Sequence, residues 1–425
     1  MWRWIFLLIT LHLLTACATN PLTGGSDLIL VPAGWDEQVG AQQYAPARQS
    51  QGGDFVLDPE LVAYVRGVGQ RVAAQSPVGY PYEFNVLNSS VPNAWALPSG
   101  KIAINRGLLT ELESEAELAA VLGHEVVHAD ARHGARAQSR GLLTNVGAVA
   151  VGVGVGVGTD DPRLGQVALL GASVGSQLLN QKHGRDAERE SDLYGIEYMT
   201  KAGYDPRGAI HLQEKFVKLS EGRRQDWISG LFASHPPSQE RVENNRRTVA
   251  QLPTGGELGR ERYQRMMARL RKAQPAYDAY DEAQQALQED DIDQAKSLLA
   301  KAKRIEPKEA LFHSLEGDIF LKQENYRDAE RAYSRAIKMN PDWFYFHLRR
   351  GQVREELNQL DGARTDLQRS NRLLDTGVGR YFLGVVERRA GNRDAAIANL
   401  RIAQQAGGDI GQQANQELRT MGVNG

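Results

Sequence analysis

The chain has 425 residues, 41% apolar and 24% charged, enough for two or three domains with ordinary cores. Its formal net charge is -2 and it carries no basic stripe with interleaved aromatics, so nucleic acid is not an expected partner. One cysteine, Cys17, excludes an intrachain disulfide and any cysteine-ligated metal site.

Met1 to Thr15 reads as a signal peptide, with Arg3 at its positive end and an apolar core from Ile5 to Leu14 that is short for a bilayer span. Leu14-Thr15-Ala16-Cys17 then matches a lipobox, in which the thiol is lipidated and becomes the mature N-terminus. Ala18 follows, and not the Asp that retains such lipoproteins at the inner membrane. The expected location is therefore the periplasm, lipid-anchored to the inner leaflet of an outer membrane.

Residues 18–54 are polar and rich in Gly, Gln, Pro and Ser, which predicts a flexible tether with one helical patch near Trp35 to Tyr44. Asp58-Pro59 opens a helix with Leu61, Val65, Val68 and Val72 at helical spacing. Tyr82–Leu87 and Lys101–Asn105 read as strands, and the Pro and Gly of the intervening Asn93–Gly100 mark a turn. The Lys101–Asn105 strand is a candidate to pair with an extended substrate.

Ser114-Glu115-Ala116-Glu117 is a capping box, predicting a helix from about 115 to 135. That helix carries His124-Glu125-Val126-Val127-His128, an HExxH motif. Residues four apart on a helix lie one above the other, so His124 and His128 can present ring nitrogens to one zinc ion. Glu125 projects from the adjoining surface, placed to accept a proton from an attacking water. A catalytic zinc takes three protein ligands, so a third must come from elsewhere. His133 sits about 140° around a continuous helix from His128 and so faces away, a helix-terminus residue suited to the local dipole.

Val146–Gly158 is almost all Gly, Ala and Val, and Leu164–Leu179 is apolar; together they predict a close-packed helical hairpin or a mobile flap. Arg185–Met199 is a second helix on which Glu188 and Asp192 share a face. Glu188 is the better third ligand, with Asp192 accepting the outer N–H of a ligand histidine. Asp186 and Glu190 point elsewhere, as solvent carboxylates. Ser234-His235-Pro236-Pro237 is a loop ahead of a polar helix holding Arg241, a candidate cation for the oxyanion.

Residues 256–272 are a charged helical connector. From about 273 the chain repeats: Pro307 and Pro341, Gly317 and Gly351, and Ala295, Ala329 and Ala363 keep a 34-residue period. Tyr333 and Ala336 complete the pattern of a tetratricopeptide repeat. About four such repeats are expected over 273–410, with a tail at 411–425. Stacked repeats of this kind curve into a groove that binds peptides or proteins.

HExxH followed by Glu188-x-x-x-Asp192, with Asn93-Ala94-Trp95-Ala96-Leu97-Pro98 before it and Ser234-His235-Pro236 after it, resembles the CAAX prenyl-endopeptidase-type zinc metalloproteases, which have HtpX-like and Oma-like members. The resemblance implies an α+β zincin-like domain over 55–255, mostly helical with a small sheet, followed by an all-α repeat solenoid. It implies zinc ligands His124, His128 and Glu188, a catalytic Glu125 and a supporting Asp192. It also implies unfolded or stalled outer-membrane proteins as substrates, with the repeats docking on the β-barrel assembly machinery. In this family a His at the position of His235 can fill the water site of a latent form or stabilise the transition state. Ser191 stands where members often carry Ala, and Trp95 where they carry Phe. An assembly chaperone acting mainly through its repeats, with proteolysis latent, is the alternative reading.

Overall fold

The computed structural model describes residues 17–149, 183–222, 230–253 and 255–423. The signal peptide before Cys17 and the apolar Leu164–Leu179 stretch lie outside the described residues, as does the Gly/Ala/Val stretch apart from Val146–Val149 at the end of a helix. The chain divides into two compact units. One takes the described residues up to Tyr44 and from Glu60 to Met267, and the other takes Ala45–Pro59 and the described residues from Ala268.

The first unit starts with a short antiparallel hairpin, β1 (Cys17–Thr19) and β2 (Ser26–Leu28), with Cys17 opposite Leu28. Helix α1 (Trp35–Ser50) follows, with its residues up to Tyr44 in this unit. Residues expected as a tether are thus hairpin and helix, because apolar positions in the polar stretch find a core. Val39 and Tyr44 are buried, and the Tyr44 hydroxyl donates to the Ile102 carbonyl at 2.5 Å.

Helix α2 (Pro59–Ala73) buries Leu61, Val65, Val68 and Val72, the stripe expected from their spacing. Strands β3 (Glu83–Leu87), β4 (Ala94–Leu97) and β5 (Lys101–Asn105) form a sheet in the order β3-β5-β4. β3 runs parallel to β5 and β4 antiparallel to it. Only Pro98–Gly100 is the turn: Ser99 and Gly100 both take positive φ, which reverses the chain tightly enough for Ala94–Leu97 to pair back onto β5. This corrects the substrate-pairing expectation. β5 is the central strand and both its edges are filled, whereas β4 is an edge strand.

After α3 (Arg106–Glu111), helix α4 (Glu115–Asp130) starts at Ser114, whose side chain accepts the Glu117 N–H. The Glu117 carboxylate reaches back to the Glu113 N–H at 2.9 Å, one residue before the cap. Then come α5 (His133–Val149), α6 (Arg185–Lys201), α7 (Arg207–Glu221), α8 (Leu231–Ser234) and α9 (Gln239–Val249). α4 packs along α6, and the crossing is closest at two glycines. A Cβ on Gly195 would lie 2.9 Å from the His124 nitrogen, and one on Gly123 would lie 2.9 Å from the Gly195 carbonyl oxygen. Backbone meets backbone there, one residue from His124.

Helix α10 (Arg260–Gln288) is continuous where a separate connector was expected, since Tyr263, Met267, Leu270, Ala273, Tyr277 and Tyr280 put one buried stripe along its length. In the second unit, α11 (Ile292–Ile305), α12 (Ala310–Lys322), α13 (Tyr326–Met339), α14 (Phe344–Glu356), α15 (Leu360–Leu373), α16 (Gly377–Arg389) and α17 (Arg393–Gln405) stack as helical hairpins. The period has a steric origin. A Cβ on Gly317, Gly351 or Gly384 would come within 2.7 Å of Tyr333, Leu367 or Leu400, which hold the same place in the second helix of each repeat. The residues expected as a tail include α18 (Gly408–Thr420), whose Ala414 and Leu418 cover Leu400 and Ala403. An end repeat needs such a cover.

A candidate metal centre

The centre is assembled from α4, α6 and the segment after α8. On α4, Glu125 and His128 are buried and His124 is half-buried. Glu188 lies in the first turn of α6, buried, with Asp192 one turn later. His235, 4% exposed, follows α8 and is held by its N–H to the Leu231 carbonyl at 2.8 Å.

Four donor atoms converge. His124 Nε2 and His128 Nε2 are 3.0 Å apart. Glu188 Oε2 is 3.5 Å from the first and Oε1 is 3.4 Å from the second. His235 Nδ1 is 3.0 Å from Glu188 Oε1 and 3.3 Å from His124 Nε2. The ligand atoms of His124, His128, Glu188 and His235 all lie within 4.8 Å of one another. Glu125 Oε1 is 3.6 Å from His235 Nε2.

This donor set fits a divalent metal. The outer nitrogen of each α4 histidine is engaged, so the two Nε2 atoms face each other at 3.0 Å across a position where a metal cation would replace the proton between them. Glu188 Oε2 is buried and accepts no hydrogen bond, although Arg241 Nη1 lies 2.9 Å away as an ion pair; the pairing is electrostatic and leaves a lone pair for a metal. Electrostatics agree. Burial opposes charge on His124, yet the Glu188 and Asp192 carboxylates prevail and hold its pKa at about 10. Burial opposes charge on Glu188 too, but His235, His124 and Arg241 hold it well below the usual carboxylate range. Burial, with His183 beside it, depresses His128. Burial raises Glu125, making its carboxylate a stronger base than an exposed one.

Asp192 accepts from His124 Nδ1–H at 3.0 Å and takes two donors of Arg241 at 2.7 Å each. Arg241 also donates to the Pro236 carbonyl at 3.2 Å. Its guanidinium is thus committed to two carboxylates and the His235 loop. It orients those acceptors and also lines the cleft beside Glu125.

His133 departs further from expectation. The HExxH helix ends at Asp130, and Arg132 takes φ 53 before α5 begins, so the angle counted along one continuous helix does not apply. The reversal brings His133 Nδ1 to 2.9 Å from His128 Nδ1. Burial lowers its pKa and keeps the ring neutral. Glu190 is no solvent carboxylate: it binds His133 Nε2 at 3.1 Å and Arg136 Nη1 at 2.7 Å. His183, which no motif marks, lies tilted against the His128 ring with centroids 4.1 Å apart and stacks on the His235 ring at 5.2 Å. Its only sequence signal is a histidine just before the Gly184 cap of the Glu188 helix.

Beside Glu125 lies a partly enclosed cleft. Val121, Ile196, Leu212, Phe216 and Leu231 line its apolar side.

An HExxH helix crossed by a Glu-bearing helix, with the buried Glu125 carboxylate beside an apolar cleft, defines a metallopeptidase, here followed by helical repeats. Residues 59–249 match the family described as Peptidase family M48, and residues 314–372 match a Tetratricopeptide repeat family. The chain is a metalloprotease with an M48 peptidase domain and C-terminal tetratricopeptide repeats. It is 25% identical over 413 residues to the beta-barrel assembly-enhancing protease of Escherichia coli K12, covering 89% of this chain and 82% of that protein. It is 33% identical over 190 residues to the mitochondrial metalloendopeptidase OMA1 of Arabidopsis thaliana, covering 44% and 36%. It is 30% identical over 168 residues to the metalloprotease LoiP of Escherichia coli K12, covering 40% and 63%.

Proposed function

We propose that this chain is a zinc endopeptidase of the bacterial cell envelope that degrades misfolded or stalled outer-membrane proteins. The observation that carries the chemistry is the convergence of His124, His128 and Glu188 beside the buried Glu125. Zinc held by those three residues would acidify a water and polarise the scissile carbonyl. Glu125 takes the proton of the attacking water and delivers it to the leaving amine. Asp192 holds His124 in the tautomer that leaves Nε2 free for the metal, and Arg241 pins Asp192. An extended substrate would join the edge of β4, which packs against α4, and place an apolar side chain in the cleft.

His235 is the brake. A catalytic zinc keeps one position open, and the nearness of His235 Nδ1 to the other three donor atoms supports a latent form in which the ring would hold that position and would have to leave for cleavage. The buried Leu231 and Phe232 seat α8 ahead of that ring.

Location and partners rest on Cys17 and on the relatives. Lipidation at Cys17 would anchor the chain to the inner leaflet of the outer membrane, and no helix among the described residues is long and apolar enough to cross one. The repeats would dock on the β-barrel assembly machinery, a reading supported by the beta-barrel assembly-enhancing protease. The test is Glu125→Gln. The variant is expected to bind zinc like the wild type and to lose cleavage of an unfolded protein by a factor of about 10² or more. Undiminished cleavage refutes the mechanism.

A further inference from the structure

The two histidines of α4 are supported in different ways. A metal-bound imidazole needs an acceptor for its outer N–H, which fixes the tautomer and the ring plane. For His124 that acceptor is Asp192. For His128 the group at its outer nitrogen is another imidazole, His133, at 2.9 Å. If His133 Nδ1 donated, His128 would carry its proton on Nε2, pointed at His124, and could not bind a metal. His133 must therefore keep its own proton on Nε2, and Glu190, 3.1 Å away, is the carboxylate that holds it there.

Glu190 is held in turn from two sides. Arg136 Nη1 donates to Oε2 at 2.7 Å, and Asn20 Nδ2 donates to Oε1 at 2.8 Å. Asn20 is 4% exposed and its side chain is fully used. Its Oδ1 accepts the Leu22 and Thr23 N–H groups at 2.8 and 3.1 Å, closing the turn of the β1–β2 hairpin, and its Nδ2 also reaches Asp27 Oδ2 at 3.0 Å. Asp27 faces Arg136 Nε at 3.4 Å, and the Leu30 N–H donates to Ser139 Oγ on α5 at 2.8 Å. A hairpin tied to α5 and α6 by buried polar groups thus ends on the residue that orients His133. Ser191 Oγ, 3.5 Å from His133 Nδ1, completes the surroundings of that ring.

We propose that Asn20, Arg136 and Glu190 act through His133 to fix the tautomer and position of His128, which makes the hairpin starting at Cys17 an integral part of the metal centre. These are positioning residues, and the inference rests on the reading of His128 as a metal ligand. It gives the N-terminal segment a task besides attachment, because whatever seats the hairpin also sets the metal affinity.

The test measures the zinc dissociation constant of the full-length protein by chelator competition, alongside the melting temperature of the metal-free form. His133→Leu is expected to raise the dissociation constant roughly 10- to 100-fold. Glu190→Gln and Asn20→Ala should raise it by progressively less, with the metal-free proteins still folded at the assay temperature. His133→Asn, whose side-chain oxygen takes the place of Nδ1, should bring affinity back to within about threefold of the wild type. An affinity of His133→Leu within about twofold of the wild type overturns the proposal, as does failure of the Asn substitution to rescue. An unchanged constant for Asn20→Ala removes the hairpin from the centre. Should His133→Leu fail to fold, Glu190→Gln and Asn20→Ala decide, and no loss in either refutes the idea. A wild type that binds no zinc, or a Glu188→Ala variant that binds it normally, would count instead against the metal centre itself.

Discussion

A single methyl group on Gly195 tests whether helix proximity sets the chemistry. The added carbon would lie 2.9 Å from the His124 nitrogen, 3.1 Å from the Gly123 carbonyl carbon and 3.2 Å from the His124 Cα. All three are backbone atoms, so no side chain can rotate away. Favourable contact between carbon atoms begins near 3.5 Å, so α4 and α6 must separate by roughly half an ångström. Overpacking of this kind costs about 1–3 kcal/mol, while Gly→Ala inside a helix returns about 1 kcal/mol. The net loss of stability is about 0–2 kcal/mol, which the fold survives. The metal centre is less tolerant, because ligand distances must hold to about ±0.2 Å. Glu188 rides on α6 and His124 sits beside the contact, so Gly195→Ala should lower zinc affinity by about 10-fold or more and cleavage at least as much. Chelator competition, a thermal melt and proteolysis of an unfolded protein are the assays. Gly67→Ala is the control, since its Cβ would meet nothing within 4 Å. Wild-type zinc affinity and cleavage in Gly195→Ala would refute the claim that this glycine contact positions the ligands.

The remaining predictions use other parts of the molecule. His235→Ala should raise basal proteolysis in a peptide-release assay, and a fall would make His235 an aid to catalysis and not a brake. Gly317→Ala drives a Cβ to 2.6 Å from the Tyr333 ring and should destabilise the repeats by about 1–3 kcal/mol, read as an earlier thermal transition of the helical signal. Burial opposes charge on Glu316, but His313, Lys303 and Arg335 hold its pKa down at about 2 from 4.5. Its contribution is therefore fully present above pH 4.5 and is lost as pH falls toward 2, so Glu316→Gln should flatten the acid limb of the melting profile. Asp192→Ala frees the outer nitrogen of His124 and leaves Arg241 without its bidentate partner, and should weaken zinc binding by about 10- to 100-fold in chelator competition.

Local periodicity carried much of this protein in the chain itself. Four-residue spacing alone puts His124 over His128 and Glu188 over Asp192, because helix geometry is the same wherever a helix forms. The 34-residue recurrence of Gly317 and Gly351 is legible for a similar reason: a glycine is required wherever a repeat must admit the bulky residue of its second helix. Tertiary structure alone decided what depends on distant contacts. One left-handed residue, Arg132, ends the HExxH helix and swings His133 back onto His128, and no helical count anticipates a reversal that Asp36 stabilises by pairing with Arg132 at 2.8 Å. Ala94–Leu97 became a strand through its pairing with β5. Glu190 changed from a solvent carboxylate to a half-buried acceptor once Asn20, far away in the chain, came to lie against it. Such roles come from desolvation and hydrogen-bond geometry between remote segments, which spacing along one element does not encode.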